Sequence, residues 1–214
     1  MPRIDDYKQA LEIGRRELVG KNPDLVASLS GAKVTRHREG DIALSLLFLN
    51  EGINISWPKI EFTCEDSNKE LSIQQQILIL HYFLGAWRAN GPGITGQWCG
   101  FQDIPDGRFY LDAFVKRAKA PLLKAFGTCP ERLVEAAKRL YGAEPFDHGD
   151  ISVKVKAFPL VRVALIIWKG DEEFPPEGNI LFDRNISQLL SAEDIAWLAG
   201  MIVYPLMGSA GGGT

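Results

Sequence analysis

The sequence has few cysteines, no excess of basic residues and no long apolar run. These absences argue against a cysteine-ligated metal site, a nucleic-acid partner and a membrane span, respectively. Its three cysteines, Cys64, Cys99 and Cys129, lack the close spacing of a zinc or iron–sulfur site. An odd and scattered set of thiols is typical of a reducing compartment, so we expect a cytoplasmic protein. A net charge of −3 argues against a nucleic-acid partner, because domains that bind nucleic acid are usually clearly basic.

The apolar segments point to a soluble protein. The N-terminus does not have the charged-then-apolar pattern of an export signal. The longest apolar run, Ile77–Trp87, is too short to span a bilayer and contains His81, so we expect no membrane partner. An apolar fraction of 46% in 214 residues is enough to bury a core without disulfides or metals.

Charge is unevenly distributed along the chain. The segment Arg108–Arg139 contains eight basic residues against three acidic ones. From Asp171 onwards the acidic residues dominate, and Arg184 alone opposes them. A protein partner for the basic helical segment therefore stays open, beside the simpler interpretation of a solvated helical face.

Hydrophobic periodicity predicts an α+β domain. Ser72 and Gln75 fit a capping box at the start of an apolar helix, Pro58 should interrupt a strand, and Ser191 should cap the last helix. Thr128, Pro130 and Glu131 have the order of a helix start. The predicted helices cover about 5–18, 73–87, 109–126, 131–141 and 192–204, and the predicted strands 33–37, 42–49, 53–62, 151–158, 161–168 and 179–183.

The two predicted β regions resemble each other. Leu44–Leu49 matches Val163–Trp168, Ile60–Phe62 matches Ile180–Phe182, and Leu71-Ser72 matches Leu190-Ser191. We therefore expect an antiparallel sheet built from two hairpin–strand–helix units, with a helical pair inserted between them; coincidence between two amphipathic stretches is the alternative. A single domain over residues 1–207 and a flexible tail over 208–214 follow from this interpretation.

Two loops are the candidate sites. The loop after Trp168 contains three adjacent carboxylates, Asp171, Glu172 and Glu173, which could hold a cation or supply a general base; a solvated acidic turn is the alternative. The glycine-rich segment 91–107 contains Trp98 and Phe101, which could stack on a flat ligand or simply fill the core. That segment lacks the Gly-Lys-Ser/Thr ending of a phosphate-binding loop.

Histidine and cysteine provide weaker candidates. His81 shares a helical face with Gln74 and Arg88, and it is either a proton-transfer group or a hydrogen-bonded structural histidine. His37 is expected at the first hairpin and His148 in a turn. Cys99 would be a nucleophile only beside a base, which the sequence cannot place.

Several segments together resemble the uncharacterised family known as Domain of Unknown Function 3786. The similar segments are Ile79–Leu84, Thr95–Trp98, Pro105–Gly107, Trp168–Pro175, Ile180–Asp183 and Glu193-Asp194. The resemblance implies an accessory role in anaerobic metabolism, but it implies no catalytic residue and no cofactor. The absence of a cysteine cluster indicates that the chain itself holds no iron–sulfur centre.

Three functions remain open at the level of sequence. The first is a non-catalytic domain that binds a small molecule where the loop 91–107, the loop 169–177 and the His81 face converge. The second is an enzyme that uses Asp171, Glu172 or Glu173 as a base with His81 assisting. The third is a protein-interaction module that works through the basic helical pair. The sequence leaves cofactors unknown and predicts no metal site.

Overall fold

The computed structural model describes residues 4–36, 41–67 and 70–210. The chain divides into two compact units. Unit 1 comprises residues 1–93, 158–160 and 188–190, and unit 2 comprises 94–157, 161–187 and 191–214. Helices accompany two antiparallel sheets, one of four strands and one of five, so the predicted α+β class is confirmed. A single domain over residues 1–207 stays a prediction.

Unit 1 is a sequential antiparallel sheet with three helices. The strand order β1-β2-β3-β4 follows the chain, as expected when short turns join neighbouring strands. In chain order the elements are α1 (Ile4–Val19), α2 (Pro23–Ser30), β1 (Lys33–Arg36), β2 (Ile42–Phe48), β3 (Glu51–Trp57), β4 (Phe62–Cys64) and α3 (Ile73–Arg88).

Helix α3 is the centre of the unit 1 core. Its first turn has the predicted capping box, in which Ser72 Oγ accepts from the N–H of Gln75 and Gln75 Oε1 accepts from the N–H of Ser72. Both α1 and α2 contact α3. Tyr82 is fully buried, and its hydroxyl donates to the carbonyl of Ser30 at 2.5 Å while its ring stacks on Phe158. The buried hydroxyl is thereby satisfied.

Unit 2 contains a five-stranded sheet in the order β5-β9-β8-β7-β6. A 3₁₀ turn (Phe101–Asp103) follows β5, and a π-helical turn (Val115–Lys119) joins α4 to α5. In chain order the elements are β5 (Trp98–Gly100), α4 (Gly107–Phe114), α5 (Ala120–Phe126), α6 (Glu131–Tyr141), β6 (Glu144–Pro145), β7 (Ile151–Phe158), β8 (Val161–Trp168), β9 (Glu177–Asp183), α7 (Ile186–Leu189) and α8 (Ala192–Ala210).

Proline shapes two helices of unit 2. Pro121 is expected to bend or break its helix, and a π-helical turn lies immediately before α5, where it absorbs the loss of a main-chain donor. Pro205 lies inside α8 and cannot donate to the carbonyl of Met201. The hydroxyl of Tyr141 donates to the carbonyl of Ile202 at 2.8 Å and also lies 3.5 Å from that of Met201. α6 therefore places a hydroxyl donor at the turn of α8 that Pro205 interrupts.

Several local predictions differ from the structure. Helix α2 is absent from the predicted elements; it is short, begins after Asn22, whose side chain accepts from Leu25 N, and ends at a left-handed Gly31. Pro130 itself precedes α6, and no side chain caps that helix, so the predicted role of Thr128 is wrong. α8 continues to Ala210, so the start of the predicted tail is helical, while 211–214 and His37 lie outside the described residues.

The alignment of the two β regions also changes. Leu44–Leu49 falls largely in β2, the second strand of its sheet, whereas Val163–Trp168 falls in β8, the third strand counted from β6. The predicted match between these two segments is therefore shifted by one strand. The match of Ile60–Phe62 with Ile180–Phe182 places Phe62 in β4 and Phe182 in β9, which are the fourth strands when counted from β1 and from β6.

Candidate functional site

A surface groove in unit 2 has a volume of about 540 Å³. One wall is the turn between α5 and α6, which contributes Gly127, Thr128, Pro130 and Glu131. The other wall is the acidic turn, residues 169–176, which joins β8 to β9. Because β8 and β9 are paired up to Trp168 and Glu177, the acidic turn projects beyond the end of the sheet. The groove thus contains all three predicted carboxylates.

Asp171 organises the acidic turn. Its Oδ1 accepts hydrogen bonds from the main-chain N–H groups of Glu173 at 2.9 Å and Phe174 at 2.7 Å, and its own N–H donates to the carbonyl of Phe174 at 2.9 Å. The N–H groups of Phe174 and Glu173 hold the pKa of Asp171 below its ordinary value, since they favour the charged carboxylate. A general base at neutral pH needs a raised pKa, so Asp171 is suited to fixing the turn.

An ion pair joins the two walls of the groove. Lys169 Nζ lies 2.5 Å from Glu131 Oε1, at the start of α6, and both side chains are at least half exposed. The hydrogen bond from Lys169 lowers the pKa of Glu131, and the same bond raises the pKa of Lys169. The Lys169 N–H also donates to Asp150 Oδ2 at 2.8 Å, which fixes the end of β8. Two segments distant in sequence therefore meet at one edge of the groove.

The acidic turn also presents apolar surface. Phe174 is 67% exposed, and Pro175 and Pro176 follow it along the groove wall. A phenylalanine this exposed buries little area in the chain's own core, so its ring is available to a ligand. The prolines restrict the backbone and so lower the entropy cost of presenting the ring.

Trp98 lies elsewhere in unit 2. It is on β5 and pairs with Asp183, the last residue of β9, whereas the acidic turn precedes Glu177, the first residue of β9. Six steps of about 3.3 Å separate these two ends of β9, or roughly 20 Å. The Trp98 ring contacts that of Phe146, with centroids 4.7 Å apart, and Phe146 stacks on His148. The structure therefore does not bring Trp98 into the groove.

Phe101 is a core residue rather than a groove residue. It is 3% exposed and stacks on Phe114 with centroids 4.2 Å apart and an interplanar angle of 1°. Phe182 lies beside both rings. This arrangement corresponds to the alternative in which an aromatic of the glycine-rich segment fills the core.

The glycine-rich segment is attached to β9 by a buried carboxylate. Asp183 is fully buried and accepts hydrogen bonds from Thr95 N, Thr95 Oγ1, Gly96 N and Asn185 N. Burial raises the pKa of Asp183, but the hydrogen bonds outweigh burial, and the pKa lies below its ordinary value. Asp183 thereby holds the Thr95-Gly96 segment against the end of β9, and we call this set of hydrogen bonds the Asp183 latch.

His81 and Cys99 are the remaining candidates. His81 is half-buried on α3 of unit 1, so its grouping with the loops of unit 2 stays a prediction. Cys99 is buried, and burial raises the pKa of its thiol, which is the opposite of what a thiolate nucleophile needs.

The wall of the groove formed by the turn between α5 and α6 gives no functional signal in the sequence. In the sequence, Thr128, Pro130 and Glu131 indicate only a helix start, and Lys169 is only part of a loop. Opposite charges at Glu131 and Lys169 give no usable signal, because 38 residues separate them. Prolines in both segments, at Pro130 and at Pro175-Pro176, are the one local hint of rigid, exposed turns.

The described residues contain neither a cluster for metal nor a membrane-spanning helix. Across 4–36, 41–67 and 70–210, no three His, Cys, Asp or Glu side chains converge as metal ligands would. No helix in the same ranges combines the length and apolarity needed to cross a bilayer.

Comparison with known proteins identifies one family. No curated protein and no solved structure matches the chain. The sequence model of one family, described as a domain of unknown function, matches residues 22–204. That range includes both walls of the groove and the Asp183 latch. The chain therefore belongs to the family of Domain of Unknown Function 3786 (DUF3786).

Proposed function

We propose that the protein is a non-catalytic binding domain that holds a small organic polycation of the polyamine type in the groove of unit 2. The observation that carries this proposal is the composition of the groove. Four carboxylates, Glu131, Asp171, Glu172 and Glu173, line it against one ammonium group, that of Lys169. An excess of one charge in a concave site raises the local concentration of ligands of the opposite charge.

The shape of the groove supports a small molecule. A volume of about 540 Å³ lies within the range of roughly 300–1,000 Å³ that is typical of small-molecule sites. The carboxylates are distributed over two walls, Glu131 on one and Asp171–Glu173 on the other. An extended molecule with several ammonium groups can approach both walls, and its methylene segments can contact Phe174.

The aromatic ring gives the proposal a second line of support. An ammonium group near the face of a phenylalanine is attracted by the ring quadrupole, by about 0.5–1 kcal/mol at an exposed site. Phe174 is the exposed ring in the groove wall, and Asp171 fixes its main chain. Phe174 therefore contributes both to the affinity of the groove and to its preference for an organic cation.

The electrostatics favour binding over catalysis. The ordinary role of a carboxylate base requires a pKa near the working pH. In the groove, the pKa values of Asp171 and Glu131 are both lowered, so these groups stay charged and attract cations. An accessory role in anaerobic metabolism, implied by the family resemblance, remains a further part of the proposal. Comparing growth of a deletion strain with and without oxygen would test that part.

Calorimetric titration with spermidine tests the proposal. We expect binding that weakens as salt is raised, because exposed charges are screened. Glu172→Gln combined with Glu173→Gln should weaken binding, Phe174→Ala should weaken it further, and Lys169→Gln should strengthen it by removing the competing ammonium group.

One variant outside the groove serves as the control for the titration. Glu61→Gln removes an exposed carboxylate of unit 1 and should leave the affinity for spermidine unchanged. Absence of spermidine binding, or binding that the groove variants do not alter, would refute the proposal. A tetralysine peptide that binds where spermidine does not would also refute it and would indicate a basic protein partner.

A further inference from the structure

The two units repeat one order of elements. Unit 1 has two helices, four sequential antiparallel strands and a final helix. Unit 2 repeats this order when α4, the π-helical turn and α5 are taken as one helix over 107–126, followed by α6, the strands β6 to β9, and α8. β5 is an extra strand on the edge of β9, and α7 is a short extra helix before α8.

The helix packing within each unit follows the same scheme. In unit 1, both α1 and α2 contact the last helix, α3. In unit 2, α4, α5 and α6 all contact the last helix, α8. Each final helix begins with a serine that shares a capping arrangement with the residue three positions later. Ser72 pairs with Gln75, and Ser191 pairs with Asp194.

Sequence landmarks occur at equivalent points of the two units. Pro23-Asp24 begins the second helix of unit 1, and Pro130-Glu131 begins that of unit 2. Each of these helices ends at a left-handed glycine, Gly31 with φ 72° and Gly142 with φ 57°, and alanine follows both. A left-handed glycine is common after helices, so this feature supports a repeat only together with the other shared residues.

The strands carry further landmarks. Gly-Asp-Ile occurs at 40–42 and again at 149–151, where β2 and β7 begin. β2 ends at Phe48 and β7 at Phe158, and the following strands end at Trp57 and Trp168. Trp57 lies 26 residues after Gly31, and Trp168 lies the same 26 residues after Gly142.

We infer that the chain is a tandem duplication of an α-α-β-β-β-β-α unit and that the acidic turn is a binding element added to the second copy. The two copies keep equal length from glycine to tryptophan. From the tryptophan to the capping serine the first copy has 15 residues and the second has 23. The connection between the third and fourth strands covers 58–61 in the first copy and 169–176 in the second.

If the chain is a duplication, its fold does not depend on the acidic turn. Because the first copy forms its sheet with a four-residue connection, the fold does not require the longer one. Within the acidic turn the side-chain contacts are local or exposed, as at Asp171 and Lys169. The binding role of the added turn rests on the proposed function. The duplication does not rest on it.

Shortening the connection tests the inference on the full chain. Residues 169–176 are replaced by Asn-Gly, which favours a tight turn between paired antiparallel strands such as β8 and β9. We expect an unchanged circular dichroism spectrum, a urea midpoint shifted no more than that of Glu61→Gln, and complete loss of spermidine binding. A folded variant with unchanged spermidine binding would show that the added turn is not the binding element.

A second measurement keeps the duplication testable if the shortened chain does not fold. The first and second halves of many family members are aligned with each other. We expect Gly31 to align with Gly142, Trp57 with Trp168 and Ser72 with Ser191, with the eight extra residues of the second copy between Trp168 and Asp183. A different register, or no alignment above that of shuffled sequences, would overturn the duplication, and neither outcome depends on what the groove binds.

Discussion

Asp183 Oδ1 lies 2.8 Å from Thr95 Oγ1, although 88 residues separate the two in sequence. The bond joins the glycine-rich segment to the last residue of β9, inside unit 2. Asp183 is fully buried, so its negative charge is stabilised by N–H and O–H donors rather than by water. A carboxylate in this situation is expected to contribute strongly to stability, and it provides the first prediction.

Asp183→Asn should destabilise the protein by about 3 kcal/mol, because the new amide group places donors opposite the N–H groups of Thr95 and Gly96. Urea unfolding measures the loss. Asp112→Asn, on the exposed side of α4, is the matched control and should change the free energy of unfolding by less than about 0.5 kcal/mol. Equal effects of the two substitutions would show that Asp183 is not a latch.

The stabilisation from Asp183 should depend on pH. Its folded-state pKa is lower than its unfolded value of about 3.9, so the unfolded chain binds the proton more readily. The contribution is fully present above the unfolded pKa and is lost as the pH falls through the folded pKa. We therefore expect the difference in unfolding free energy between wild type and Asp183→Asn to shrink below about pH 4. A difference that stays constant down to pH 2 would contradict this prediction.

Tyr141→Phe should destabilise unit 2, because it removes the hydroxyl that donates to the carbonyl of Ile202 near Pro205. The expected cost is about 1–2 kcal/mol. Burial raises the pKa of the Tyr141 hydroxyl, as expected for a group that must stay neutral. Tyr204→Phe, at a side chain 54% exposed, is the control. If thermal unfolding shows equal small shifts for both variants, the bond to α8 does not matter.

Gly85→Ala should strongly destabilise unit 1. A Cβ at this position would lie 1.9 Å from the carbonyl oxygen of Leu189, so main chain would have to move. We expect a cost of about 3 kcal/mol, measured by urea unfolding. Gly208→Ala has open space around the new Cβ and lies in α8, so it should be neutral or stabilise by up to about 1 kcal/mol. A mild effect at Gly85 would mean that the contact with Leu189 is not as close as the structure places it.

Ser72→Ala and Ser191→Ala should each cost about 1 kcal/mol, since each removes the side-chain acceptor of a helix N-terminus. Ser191 also donates to Asp194 Oδ2 at 2.7 Å, and Asp194 is only 8% exposed. The second substitution should therefore be the more destabilising. Hydrogen exchange in the first turns of α3 and α8 locates the effect, and an effect outside those turns would contradict it.

Much of the secondary structure could be predicted because its signals are local. Ser72 caps α3 as expected, Pro58 ends β3, and β8 has the predicted limits Val161–Trp168. Helix α2 was missed because it is only eight residues long and its periodic signal is correspondingly weak. β5 was missed because three residues carry no alternation from which to infer a strand.

The candidate site was predictable only in part. The unusual composition of Asp171–Phe174 indicated one wall of the groove, because acidic residues, an aromatic and prolines stand together in the sequence. The other wall, at Gly127–Glu131, comes from a segment whose helix-start signals suggested no other role. Trp98 and Phe101 looked alike in sequence, but Trp98 is half-buried on β5, whereas Phe101 lies in the 3₁₀ turn and stacks on Phe114 in the core.

The sequence by itself determined the α+β class, the approximate positions of the longer helices and strands, and the acidic character of the loop after β8. Those properties depend on side chains within a few residues of one another. Only the tertiary structure decided that Glu131 faces Lys169 and that Asp183 is buried against Thr95. These relationships depend on strand pairing and helix packing between distant segments, which local periodicity does not encode.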